Sequence, residues 1–195
     1  MSILKQNSQY LAIFFSIIIY FFFAYFLKRT QFYTFSFLWL FLFGCFYAII
    51  KNKHISFKNL VGISILFRLI FLFAIPHLSQ DFYRFIWDGQ LILNGINPYA
   101  FTPEQLMQSS DVPFSLADKI YPKLTDLSAG NYSNYPPFSQ ILYALSAWIA
   151  QDSIKLFIVV LRVFLIGFDL MFIFFARKLL LHLNSDSVNL FWYIL

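Results

Sequence analysis

Residues 10–27 read YLAIFFSIIIYFFFAYFL, with Ser16 the only clearly polar side chain among them. A helix rises about 1.5 Å per residue, so crossing roughly 30 Å of hydrocarbon takes about 20 mostly apolar residues, and this run meets that length. It exceeds the roughly 7–15-residue core of a secretory signal, and the AYFLKRT that ends it offers no small-residue cleavage site. The segment is therefore expected to stay attached as a signal anchor, in a fold built from membrane-spanning helices.

The rest of the chain agrees. It is 60% hydrophobic, 23% aromatic and only 12% charged, against about 25% charged in an ordinary soluble domain. Phe32 to Ile50 and Leu60 to Pro76 read as further spans, the latter with Arg68 near its middle. Ile154 to Ala176 is another, and it carries Arg162 and Asp169. Phe138 to Ala150 is apolar but short, which fits a tilted span, a re-entrant helix or an interfacial one. Val188 to Leu195 reads as the opening of one more. The expected fold is all-α: a polytopic helical membrane protein forming one transmembrane domain over 1–195, an incomplete N-terminal part of a larger protein. A long outer loop, 77–137, contains short amphipathic juxtamembrane helices.

Orientation follows from the positive-inside rule. Lys51, Lys53 and Lys58 lie between the second and third spans and place that loop, with Lys5, in the cytoplasm. Residues 77–135 then face outward, and their local net charge is −3: Asp81, Asp88, Glu104, Asp111, Asp118 and Asp126 against Arg84, Lys119 and Lys123. Lys28 and Arg29 count against this assignment, as do Arg177 and Lys178 if Phe138 to Ala150 crosses. Topology after residue 137 stays open. The overall charge of +5 is spread along the loops with no basic block, which excludes a nucleic-acid footprint. Cys45 is the single cysteine, so no disulfide forms within the chain, and no His and Cys spacing suggests zinc.

The densest charge lies in SQDFYRFIWDGQ, residues 79–90. Helical spacing puts Phe82, Phe85, Ile86 and Leu93 on one stripe and Asp81, Arg84 and Asp88 on another, an amphipathic helix with its carboxylates toward water. Gly95 and Pro98 break it, and Pro103 with Glu104 opens another short helix. Spacing alone leaves two readings. The charges form an exposed ion-pair ladder worth a few tenths of a kcal/mol per pair, or a carboxylate is held near the membrane face to act as a general base.

SQDFYRFIWDGQLILNGINPY (79–99), followed by NYPPFSQILYAL (134–145), resembles the first outer loop of GT-C membrane glycosyltransferases. Among these, bacterial polyprenyl-phosphate-mannose-dependent mannosyltransferases are the most similar. The pieces that carry the likeness are Asp81, Tyr83, Arg84, Trp87, Asp88, Gly89, Asn97, Pro98, Tyr99, Tyr135, Pro136 and Pro137, within a match over about residues 60–180. The resemblance implies transfer of a mannose-like sugar from a polyprenyl-phosphate donor to a lipid or glycan acceptor at the outer face of a bacterial inner membrane. Asp81 stands at the general-base position, and Arg84, Asp88, Tyr83, Trp87 and Tyr135 are the implied substrate-binding residues. A divalent cation is the one cofactor left open. Family patterns often show two adjacent acidic residues where this chain has Gln80–Asp81, which argues against a metal site built from the pair. The rival reading is a non-catalytic membrane protein, a transporter half or an assembly scaffold. Arg68, Arg162 and Asp169 are expected to make structural ion pairs, with a donor-phosphate role as the alternative for the arginines.

Overall fold

The computed structural model describes residues 2–51, 55–109 and 112–195, with side chains from residue 8 onward. Lys53, His54, Asp111 and the side chain of Lys5 lie outside the described residues. The described chain is helical, in the order α1 (Ser2–Tyr25), α2 (Phe32–Lys51), α3 (Phe57–Phe71), α4 (Asp81–Leu93), α5 (Pro103–Ser109), α6 (Ala117–Ile120), α7 (Asp126–Gly130), α8 (Pro137–Ala150), α9 (Ile154–His182) and α10 (Phe191–Ile194). Single 3-10 turns precede α7 and α10. Among the described residues there is no strand.

Among the described residues, three helices are long and apolar enough to cross a membrane: α1 over Ser8–Tyr25, α2, and α9. The expected third span at Leu60–Pro76 is corrected in its helical extent. As a helix it stops at Phe71, and its 15 residues cover only about 22 Å. Pro76 explains part of this, because a proline disfavours helical backbone at the residue before it. Phe138 to Ala150 takes shape as α8, whose 14 residues also fall short of a span. One face of α8 is apolar and exposed, through Phe138, Ile141, Leu145 and Trp148. Its opposite face buries Gln140, Tyr143, Ser146 and Ala147.

Contacts divide the chain into two compact units. The first comprises residues 1–74 and 165–195. Its core is apolar, with Ile49, Leu60, Phe67, Ile173 and Phe191 among its buried members. Buried polar groups inside find carbonyl acceptors: Ser16 donates to Ala12 and Ser64 to Leu60, both at 2.8 Å, and Gln9 Nε2 to the distant Ile49 at 3.2 Å. Phe14, Phe37, Leu40 and Phe174 are exposed on its surface, as expected for side chains that meet lipid rather than water. In this unit Arg68 of α3 reaches Asp169 of α9, Nε to Oδ2, at 2.5 Å. It also donates to the Ser64 carbonyl at 3.0 Å and the Ile194 carbonyl at 2.9 Å. Asp169 is thus in an interhelical pair, as its place in an apolar helix demands.

The second unit, 75–164, is built on α4 packed along α8. Gly89 makes that packing close: a Cβ there would stand 2.5 Å from the Tyr143 carbonyl oxygen. Phe82, Ile86, Trp87, Leu91, Ile120 and Phe157 fill the core. Asn94 and Gly95 terminate α4 in a Schellman motif, with Gly95 at φ +76°, its N–H donating to Ile92 and that of Ile96 to Leu91. A capping box starts α5: the Gln105 N–H donates to Thr102 Oγ1 at 3.2 Å, and the Thr102 N–H donates to Gln105 Oε1 at 3.0 Å.

Candidate active site

Asp81 is the first residue of α4, where the helix dipole favours a negative charge. Its N–H donates to Ser79 Oγ at 3.2 Å. Its side chain is exposed, and no hydrogen bond or ion pair from the described residues engages its carboxylate. One turn further along, the environment reverses. Arg84 is 3% exposed and Asp88 is 0% exposed, and Arg84 Nε donates to Asp88 Oδ1 at 2.8 Å. The expectation that this stripe faces water is therefore corrected for Arg84 and Asp88. The ion-pair ladder exists as one pair, at i,i+4, and it is buried.

Burying a carboxylate is costly unless donors replace its water. Asp88 receives them from distant segments. Ser133 Oγ donates to Oδ2 at 2.5 Å and Gln140 Nε2 to the same oxygen at 2.9 Å. Gln140 Nε2 also lies 2.8 Å from Ser133 Oγ. Arg84 Nη1 donates to the Ser128 carbonyl and, at 2.9 Å, to the Asn131 carbonyl. The network thus fastens α7 and the strand of chain after it onto α4. Arg84 Nη2 is buried with no acceptor within hydrogen-bond distance among the described residues.

The fastened segment walls a cavity of about 180 Å³, lined by Asp81 and Arg84 together with Thr125, Leu127, Ser128 and residues 131–135. Tyr135 packs edge-on against Phe85, with ring centroids 5.0 Å apart, and Phe85 stacks on Tyr143 at 4.6 Å. Partial burial raises the Tyr135 hydroxyl above its ordinary pKa; the Asp81 and Asp88 carboxylates add to the rise and Arg84 offsets part of it. Tyr99 donates to the Tyr135 carbonyl at 2.5 Å, while Asn97 Oδ1 accepts from the Tyr99 N–H at 3.0 Å. The motif pieces quoted above, WDG, NPY and YPP, are thereby tied into one unit.

Of the six site residues expected from the sequence, Asp81, Arg84 and Tyr135 line the cavity. Asp88 sits behind it as the buried counter-ion of Arg84. Tyr83 and Trp87 belong to the hydrophobic core, where Trp87 is wholly buried and meets the rings of Phe114 and Tyr121. Sequence reasoning did not reach Ser133, Gln140 or the 128–131 carbonyls. Gln140 left a trace, as a lone amide in the first turns of an otherwise apolar helix.

An exposed acid at the edge of a polar cavity, on a membrane-associated helical scaffold, suits transfer chemistry on a hydroxyl-bearing substrate. Neither a curated protein nor a solved structure matches the chain. The family described as alpha-(1->6)-mannopyranosyltransferase, N-terminal domain (MptA_B family), matches residues 15–195. With nearly the whole chain covered, this protein belongs to that mannosyltransferase family.

Proposed function

We propose that the chain is the N-terminal, base-bearing part of a GT-C type membrane glycosyltransferase. It moves a mannosyl unit from a polyprenyl-phosphate donor to a hydroxyl of a lipid or glycan acceptor at the outer face of a bacterial cytoplasmic membrane, with Asp81 as the general base. The observation that carries this reading is the contrast between two carboxylates on one helix. A base must keep a lone pair free within hydrogen-bond reach of the proton it takes. Asp81 has one, on an exposed carboxylate beside a polar cavity. Asp88 has both oxygens engaged and no solvent access.

An alpha-(1->6) linkage formed by one inverting displacement calls for a donor with the sugar β-linked to phosphate. The acceptor oxygen forms a bond to the anomeric carbon as its proton passes to Asp81. The bond from that carbon to the phosphate oxygen breaks, and its electron pair leaves with the phosphate. A lipid-linked donor suits a site on short helices at membrane depth, and the exposed apolar face of α8 (Phe138, Ile141, Trp148) suits contact with the interface. The outward orientation of 77–137 rests on its acidic charge and on the lysines between α2 and α3, with α3 and the apolar residues after it carrying the chain across.

The full-length protein in membrane vesicles tests this with two donors. Polyprenyl-phosphate mannose should support transfer to an α-mannoside, and nucleotide-activated mannose alone should not; transfer from the nucleotide sugar alone contradicts the donor assignment. Reporter fusions at residues 100–130 should report the outer side, and cytoplasmic signals there would overturn the orientation.

A further inference from the structure

The cavity beside Asp81 has a charge and a size that discriminate between the two substrates. We infer that it takes a single neutral pyranose, the terminal sugar of the acceptor, and that the donor phosphate is held by other groups. This rests on the reading of Asp81 as the base.

Charge comes first. Among the described residues, the cation on the cavity wall is Arg84, and Asp88 neutralises it at 2.8 Å. With Asp81 at the edge, the three together carry −1. Asp126 on α7 stands in the chain between the lining residues Thr125 and Leu127 and adds negative charge. A phosphate entering here would meet like charge at short range, which disfavours its ionised form. A neutral polyol meets no such opposition.

Size and lining agree. Drug-sized ligands occupy pockets of roughly 300–1,000 Å³, and this cavity, half open to solvent, is about 180 Å³, a volume that matches one sugar ring. Hydroxyl and amide groups of Ser128, Asn131, Ser133 and Asn134 lie along the wall, beside the carboxylate acceptor of Asp81. Arg84 Nη2 lies buried beneath that surface, with no acceptor among the described residues, so the wall offers a sugar its hydroxyls and amides rather than a free cation. Acceptors are thus read one residue deep, so that chains of different length present the same end group.

The test uses the full-length enzyme in lipid nanodiscs, in buffer containing Mg²⁺. Asn134→Trp is chosen because Asn134 is exposed and lines the cavity, so the change fills the space without touching the Arg84 network. The acceptor KM for an α-mannoside should rise about tenfold or more while the donor KM stays unchanged. Saturation-transfer NMR should show methyl α-mannopyranoside bound to the wild type, weakened by Asn134→Trp and not displaced by inorganic phosphate. A rise in the donor KM instead, displacement of the mannoside by phosphate, or no mannoside contact at all would overturn the assignment. A wild-type enzyme that binds the mannoside but transfers nothing from polyprenyl-phosphate mannose would refute the proposed reaction and leave the sugar site standing.

Discussion

Two arginine–aspartate pairs stand out among the described residues, and they are built for different surroundings. Arg84–Asp88 lies within one helix with side-chain exposures of 4% and 0%, and every oxygen of its carboxylate is met by donors from three segments. Arg68–Asp169 bridges two helices of the apolar unit with exposures of 25% and 39%, and Asp169 accepts from Arg68 alone among the hydrogen bonds described. The first pair is a node that places a loop against α4. The second joins α3 to α9. The lesson is that the same two residue types shape a site in one place and fasten spans in the other. The number of additional partners separates the roles.

Breaking the node should have the larger consequence. Asp88→Ala strands Arg84 in a buried position and should destabilise the 75–164 unit by about 3–5 kcal/mol, read as a fall in thermal unfolding temperature and loss of protease resistance in 125–135. Gly89→Ala attacks the same unit without touching charge. Its methyl would meet backbone at 2.5 Å, so α4 must move from α8, at a cost of about 1–3 kcal/mol. The spanning pair should matter less: Asp169→Asn keeps an acceptor for Arg68 and should cost about 1 kcal/mol, measured by denaturation in detergent. A cost equal to that of Asp88→Ala would erase the distinction drawn here. Tyr99→Phe, which removes one partly exposed bond to the Tyr135 carbonyl, should cost about 0.5–1 kcal/mol.

Much of this was legible in the sequence. Spans α1, α2 and α9 follow from apolar length, the break after α4 from Gly95, and the start of α8 from Pro136 and Pro137. The shortness of α3 was not, because apolar composition continues to Pro76 while the helix does not. The stripe of Asp81, Arg84 and Asp88 was visible, but which side of it faced water was not. Arg84 could have paired three residues back or four ahead. The choice of Asp88 is explained by Ser133 and Gln140, 45 and 52 residues away, which a helical projection of α4 does not contain. Trp87, implied as a substrate-binding residue, is drawn into the core by Phe114 and Tyr121 for the same reason.

The central claim is a division of labour between two aspartates on α4, and one paired measurement addresses it. Asp81→Asn and Asp88→Asn are each assayed in the full-length enzyme for mannosyl transfer and for thermal unfolding. Asp81→Asn should unfold at the wild-type temperature while transfer falls by about 10²–10⁴-fold, and Asp88→Asn should unfold well below it. Transfer by Asp81→Asn within a few-fold of wild type would contradict the account.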